Sequence, residues 1–162
     1  MKKISVGEII RYLYYLDYEL GGKKPSRKAL RDGIWYHQRL GFNQPEIFQK
    51  YFEYWSGKNK EWWLVRGAPD RIVDNDGILY VDELKTVRKR PKSKALEVGS
   101  TQANIYAWLV GADLYRVFIY DVYSGELEKH EFEFDRKKLN RDLRKGIKIK
   151  KKLEKFRKSL KK

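Results

Sequence analysis

The chain has 162 residues, the length of one domain with a hydrophobic core. Its 37 Lys and Arg residues outnumber 22 Asp and Glu residues, and the net charge of +15 favours a polyanionic partner, nucleic acid above all. The absence of cysteine excludes disulfides, cysteine-ligated zinc and cysteine-ligated iron–sulfur clusters. No apolar run approaches the length of about 18 residues that a membrane span needs, so we expect no membrane partner and a cytoplasmic location, or the host cytoplasm for a viral protein.

The first third of the chain predicts three helices. Ser5 and Glu8 form a capping-box pair that opens the first, and apolar residues recur at helical spacing until Gly21-Gly22. A serine caps the second helix, over residues 26–40. Proline suits the first turn of the third helix, over residues 45–57. Its apolar face is formed by Ile47, Phe48, Tyr51 and Trp55.

The middle of the chain predicts strands. Short runs rich in β-branched and aromatic residues lie between turn signals. The tripeptide Asn75-Asp76-Gly77 is typical of a hairpin turn, and Ser124-Gly125 marks a second turn. The predicted strand segments are 61–66, 71–73, 78–86, 115–122 and 127–134.

The remaining segments are basic or helical. We expect a basic loop over residues 87–99, broken by proline, and a helix over residues 100–110. A core domain is predicted over residues 1–135, followed by a basic helix or tail over residues 136–162. The apolar stripe of this helix is thin, so a solvated tail and a DNA-binding helix both stay open. The order of elements predicts an α/β fold of mixed α+β character, with a central mixed β-sheet flanked by helices.

The first hairpin carries the residues of a candidate metal site. A turn centred near Asp76 places Asp70 opposite Asp82, give or take one residue. Glu83 and Lys85 are two residues apart and share one face of their strand, whereas Asp82 faces away. Asp70 and Glu83 can therefore converge on one Mg²⁺ or Mn²⁺ ion, which prefers oxygen ligands.

Two further groups fit this site. The backbone carbonyl of Leu84 lies between the two side chains and is a natural additional ligand. Lys85 can stabilise the negative charge that develops when a phosphodiester is hydrolysed. The alternative is a Lys–Glu pair on an exposed strand, because Glu-x-Lys is a common pattern. The full spacing, with Asp70 included, favours a metal-dependent nuclease site.

Four segments resemble, in order, motifs of the PD-(D/E)xK nuclease superfamily. The most similar branch is that of the RecB-like nucleases, which include CRISPR-associated exonucleases and λ-exonuclease-like enzymes. The segments are Gly33 to Leu40 (Gly-x-x-x-His), Gly67 to Asp70 (Gly-x-x-Asp), Glu83 to Thr86 (Glu-x-Lys-Thr) and Gln102 to Tyr106 (Gln-x-x-x-Tyr). Each motif is loose alone, but four in order within residues 4–134 are specific.

The resemblance implies a restriction-endonuclease-like core and assigns roles to single residues. The implied metal ligands are His37, Asp70, Glu83 and the carbonyl of Leu84. The implied catalytic residues are Asp70, Glu83, Lys85, Gln102 and Tyr106. Gln102 and Tyr106 are one helical turn apart and would brace the site or contact the DNA backbone. From the residues alone, His37 is equally well explained by helix packing and Tyr106 by the core.

Iron–sulfur members of this branch carry cysteines that this chain lacks, so we expect a version without a cluster. Basic residues that follow the site are expected to bind the nucleic-acid backbone: Arg88, Lys89, Arg90, Lys92 and Lys94. For most of Trp55, Trp62 and Trp63 we expect core packing, with stacking on unpaired bases as the alternative.

The sequence therefore predicts a Mg²⁺- or Mn²⁺-dependent deoxyribonuclease. Exonuclease and endonuclease action, single- and double-stranded DNA, and homo-oligomer formation all stay open. Two other functions remain: a non-catalytic nucleic-acid-binding module with the same fold, and a scaffold subunit of a recombination, viral or CRISPR-related complex.

Overall fold

A computed structural model describes residues 2–16, 26–43, 46–88 and 91–162. In these ranges the chain forms seven strands and four helices. In chain order they are β1 (Lys3–Ser5), α1 (Val6–Tyr14), α2 (Arg27–Arg39), β2 (Phe48–Ser56), β3 (Asn59–Gly67), β4 (Arg71–Asn75), β5 (Ile78–Val87), α3 (Lys92–Val110), β6 (Leu114–Asp121), β7 (Leu127–Glu133) and α4 (Arg136–Leu160). The predicted mixed α/β class is confirmed.

The strands divide between two mixed sheets, whereas the sequence predicted one central sheet. One sheet has the order β1-β3-β2 and the other the order β4-β5-β6-β7. Helix α3 connects β5 to β6, which run parallel, as a crossover helix allows. The hairpin between β4 and β5 is confirmed: Asp76 and Gly77 have φ angles of 53° and 86°, which is the left-handed backbone that an Asp-Gly turn favours.

The predicted third helix is wrong, because residues 48–56 form strand β2. This strand pairs antiparallel with β3 from Phe48 to Ser56. Its burial alternates with the period of a strand: Phe52 and Tyr54 are buried, while Tyr51 and Trp55 are exposed. Aromatic residues favour strands, and here pairing with β3 outweighs the helical spacing. Residue 45, where the helix was predicted to begin, lies outside the described residues.

Helix α1 has the predicted capping box. The Ser5 hydroxyl accepts a hydrogen bond from the Glu8 amide at 3.0 Å, and the Glu8 carboxylate accepts one from the Ser5 amide at 3.1 Å. The helix ends at Tyr14, earlier than predicted, because Tyr15 leaves the helical region with φ −131° and ψ 36°. The predicted end at Gly21-Gly22 lies outside the described residues.

Helix α2 is confirmed, with Ser26 at its N-cap and Gly41, at φ 79°, just beyond its end. The predicted loop over residues 87–99 is wrong in its second half, since α3 already begins at Lys92. Pro91 is the residue before this helix, a place where the missing N–H is not needed. Lys92 therefore begins a helix instead of belonging to a loop.

Helix α4 contributes to the hydrophobic core. Leu139, Leu143 and Ile147 are fully buried. Gly146 lies against α1 so closely that a Cβ atom there would be 3.2 Å from Cγ2 of Ile9. The predicted helix is thus confirmed and its first half is packed, while the domain boundary at residue 135 stays a prediction. No helix in the described ranges has both the length and the apolar character to cross a membrane.

A buried carboxylate fixes β5 between its two neighbours. Asp82 is fully buried and accepts hydrogen bonds from Arg71 on β4 at 2.9 Å and from Arg116 on β6 at 2.7 and 2.9 Å. The three residues also lie in register across the sheet. Each guanidinium packs on an aromatic ring, Arg71 at 3.9 Å from Phe42 and Arg116 at 4.4 Å from Tyr80. Asp82 therefore locks the strand register.

Replacement of Asp82 by asparagine should destabilise the fold. The change leaves two partly buried guanidinium groups without their carboxylate, which should lower the free energy of unfolding by about 3 kcal/mol. Urea denaturation measures this loss. The control Glu97→Gln changes an exposed helix residue and should alter the stability by less than about 0.5 kcal/mol. Equal stability of both variants would contradict the locking role.

Candidate active site

Two carboxylates meet where β4 and β5 pair. The pairing of Arg71 with Asp82 places Asp70, one residue earlier, opposite Glu83, within the predicted one-residue window. The Asp70 amide donates a hydrogen bond to Oε1 of Glu83 at 3.1 Å, and the Leu84 amide donates one to Oδ2 of Asp70 at 2.8 Å. Backbone donors thus hold both side chains in place.

The two carboxyl groups are less exposed to solvent than side chains on an exposed strand, and this affects their charge. Glu83 is only 1% exposed, whereas Asp70 is 21% exposed. Burial, followed by the negative charge of Asp70, raises the pKa of Glu83 well above its ordinary value, although the charge of Lys85 acts in the opposite direction. A divalent cation between the carboxylates would offset their repulsion, so the pair fits the metal that the sequence predicts.

His37 contacts Asp70 directly. Its Nε2 lies 3.1 Å from Oδ2 of Asp70, and its Nδ1 lies 2.8 Å from the carbonyl oxygen of Gly33 on the same helix. Burial acts to lower the pKa of His37, but the hydrogen bond and negative charge of Asp70 prevail and raise it. The ring therefore orients Asp70 in this structure.

The described residues contain no group of three or more His, Cys, Asp or Glu side chains arranged to hold a metal ion. The acid pair fits a cation, whereas the complete predicted ligand set is not assembled around one point. That set, His37, Asp70, Glu83 and the Leu84 carbonyl, therefore stays a prediction.

Lys85 is connected to α3 through Gln102. The lysine Nζ donates a hydrogen bond to Oε1 of Gln102 at 2.5 Å. Tyr106, one helical turn further along α3, is buried near the Gln102 side chain. Burial and then the charge of Glu83 raise the pKa of the Tyr106 phenol, which keeps it protonated. The structure thus brings the five predicted catalytic residues together, while their catalytic roles stay untested.

Two glycines allow this close packing. A Cβ atom on Gly67 would lie 2.6 Å from Cε1 of Tyr106. A Cβ atom on Gly99 would lie 2.7 Å from Cγ1 of Val117 and 3.3 Å from Cγ of Lys85. Gly99 did not emerge from the sequence, although its place three residues before Gln102 puts it on the same side of α3. It lets α3 approach β5 at the lysine.

The predicted backbone-binding cations are engaged with other groups wherever they are described. Arg88 pairs with Asp32 at 2.6 Å, and Lys92 pairs with Glu128 at 2.9 Å. The Nζ of Lys94 lies 4.7 Å from the ring centre of Tyr14. Residues 89 and 90 lie outside the described residues. A role for these five residues in nucleic-acid binding stays a prediction.

A family model described as the PD-(D/E)XK nuclease superfamily matches residues 24–161. The chain belongs to this superfamily. The match covers the histidine, both acids, the lysine and the Gln–Tyr pair of the site. Membership implies a nucleic-acid substrate, and nucleases of this superfamily generally use divalent metals. The RecB-like branch is not decided by this match and stays a prediction.

Solved structures share the fold of this PD-(D/E)XK chain. The crystal structure of SSO0001 is similar with a TM-score of 0.61 at 20% identity, over 91% of this chain and 76% of that one. An alkaline exonuclease from Laribacter hongkongensis, LHK-Exo, has a TM-score of 0.53 at 11% identity, over 98% and 91% of the two chains. Its complex with dAMP gives 0.50 at 13% identity, with the same coverage. No curated protein matches the sequence.

The packing of Gly99 gives a test of the site's construction. Gly99→Ala should lower the free energy of unfolding by about 1–3 kcal/mol, because the new methyl group overlaps Val117 and presses on Lys85. Gly33→Ala is the matched control, since it lies within α2 and has no atom within 4 Å of the added Cβ. It should be neutral or stabilising by up to about 1 kcal/mol. Denaturant titration compares them, and similar stabilities would contradict the close approach of α3.

Proposed function

We propose that the protein is a metal-dependent deoxyribonuclease that hydrolyses phosphodiester bonds at Asp70, Glu83 and Lys85. The observation that carries the proposal is the convergence of a buried and a half-buried carboxylate next to a lysine. The geometry occurs in a chain that belongs to a nuclease superfamily. The net charge of +15 suits a polyanionic substrate such as DNA.

Mg²⁺ or Mn²⁺ would be held by the two carboxylates and the Leu84 carbonyl, and when bound it would activate water and polarise the phosphate. His37 would become a further ligand once its Nε2 exchanges the hydrogen bond to Asp70 for the metal. The other roles belong to the protein's side chains. Asp70 is fixed by the Leu84 amide and by His37, and Glu83 by the Asp70 amide. Their oxygens therefore have little freedom to move, which favours a preorganised site.

Lys85 is the group that stabilises negative charge on the phosphoryl oxygens. Its hydrogen bond to Gln102 holds the ammonium group, and the buried Tyr106 lies near Gln102. The chain of contacts runs from a buried helix residue to the reacting centre. Gln102 and Tyr106 thus act as positioning residues in this proposal.

The mode of cleavage is a further part of the proposal. The likeness to an alkaline exonuclease supports cleavage from DNA ends. End-labelled linear DNA and closed circular DNA, each incubated with Mn²⁺, distinguish exonuclease from endonuclease action. We expect linear DNA to be degraded and circles to survive, whereas nicked or linearised circles would show endonuclease action.

Substitution of the three central residues should abolish cleavage. With Mn²⁺ present, Asp70→Ala, Glu83→Ala and Lys85→Ala should each lower the rate of DNA hydrolysis at least about 100-fold, because each removes a group needed in the transition state. EDTA should stop DNA cleavage by the parent protein. Release of acid-soluble nucleotides gives the rates.

Exposed residues on β7 provide matched controls. Glu131→Ala and Lys129→Ala remove an acid and a lysine outside the site and should keep the parent rate. The three site variants should still bind DNA, since most of the basic surface is unchanged. Cleavage by all three at the parent rate would place the active site elsewhere. Binding without cleavage by the parent, with several metals, would instead indicate a non-catalytic module.

A further inference from the structure

A groove lined by aromatic and basic residues lies along strand β2. This strand is an edge of its sheet among the described strands. Two adjoining depressions of about 410 and 530 Å³ separate it from the first half of α4, and they share Trp55 and Arg144. We call them together the β2–α4 groove. Its principal lining residues are Tyr51, Trp55, Trp62, Arg136, Arg144 and Lys148.

The aromatic residues of this groove are exposed. Tyr51 is 57% exposed, and Trp55 and Trp62 are each 52% exposed, whereas Trp63 is 3% exposed. Core packing, which we expected for most of the three tryptophans, therefore holds only for Trp63. Lys60 lies 5.7 Å from the ring centres of both exposed tryptophans. Flat aromatic surfaces thus face solvent beside a cation.

The charged residues of the groove are predominantly basic. Arg136, Arg144, Lys145 and Lys148 line it, and within the described part of the chain none of them forms a salt bridge. Glu53 is the acid among the lining residues, and its carboxylate already accepts a hydrogen bond from Nε1 of Trp55 at 2.8 Å. The groove therefore combines basic side chains of α4 with aromatic rings of β2 and β3.

We propose that the β2–α4 groove binds a single-stranded segment of nucleic acid. Unpaired bases can stack on the exposed rings while the α4 cations contact phosphates, whereas a duplex hides its base faces. Charge complementarity thus favours a polyanion over a neutral protein partner. The proposal rests on the proposed function in naming single-stranded DNA as part of the substrate, whereas binding in the groove does not itself require cleavage. No residue of the groove belongs to the candidate active site at Asp70, Glu83 and Lys85.

Binding of labelled strands by the full chain tests this proposal. Fluorescence anisotropy in EDTA, where cleavage is prevented, compares an oligo(dT) strand of about 20 nucleotides, longer than a typical site of about 4–16, with a duplex of equal length. The double substitution of Trp55 and Trp62 to Ala should weaken oligo(dT) binding at least about tenfold and duplex binding much less. The same positions changed to Tyr should retain most of the affinity, because a ring remains.

Charge reversal on α4 tests the phosphate contacts. Arg144→Glu with Lys148→Glu should weaken oligo(dT) binding and reduce its salt dependence. The matched control, Lys155→Glu with Lys158→Glu, makes the same change in net charge on exposed residues outside the groove. A larger effect at the groove supports the proposal. Equal losses of oligo(dT) binding in the two charge-reversal variants would overturn it. Unchanged oligo(dT) binding by the Trp-to-Ala variant would also overturn it, and a protein partner would then be the remaining occupant of the groove.

A small substrate separates this proposal from the proposed function. Bis(p-nitrophenyl) phosphate carries no bases, so its Mn²⁺-dependent hydrolysis should be unchanged by the tryptophan substitutions and lost in Lys85→Ala. If the parent cleaves nothing but the tryptophan variant loses oligo(dT) binding, the groove proposal stands and the nuclease proposal fails. Equal loss of oligo(dT) and duplex binding would overturn the assignment to single strands.

Discussion

Asp70 and Glu83 face each other across the pairing of β4 with β5, and backbone amides hold both carboxylates where their charges repel. A pair of this kind, with one buried member, is costly unless a proton or a cation lies between the two groups. The strand pairing of the second sheet keeps Asp70 and Glu83 close together. Register is decisive, because a shift of β5 by one residue would turn Glu83 to the opposite face.

The adjacent carboxylates of Asp82 and Glu83 on β5 have different electrostatic environments. The Asp82 side chain is neutralised within the protein by Arg71 and Arg116, which belong to the two adjacent strands. The Glu83 side chain is buried, and burial followed by the charge of Asp70 raises its pKa, although the charge of Lys85 acts in the opposite direction. One acid therefore stabilises the sheet, while the other is left with capacity for a ligand. Alternation along a strand separates the two functions.

The sequence was informative where local rules determine structure. The turn at Asp76 and Gly77 fixed the register to within one residue, and this brought Asp70 to Glu83. The sequence-based prediction of a helix failed at β2. Tyr51 and Trp55 are four residues apart, and this spacing fits one face of a helix or one face of a strand. The close contact of Gly99 with Lys85 depends on how α3 packs on the sheet, which no local pattern contains.

The central claim is that Asp70 and Glu83 together hold a divalent cation. Isothermal titration calorimetry with Mn²⁺, in the absence of DNA, tests it independently of cleavage. The parent protein and the control Glu131→Gln should bind Mn²⁺ with the same affinity, whereas Glu83→Gln and Asp70→Asn should bind it at least about tenfold more weakly, because each removes one anionic ligand. Mn²⁺ binding by both site variants with the affinity of the parent would contradict the account.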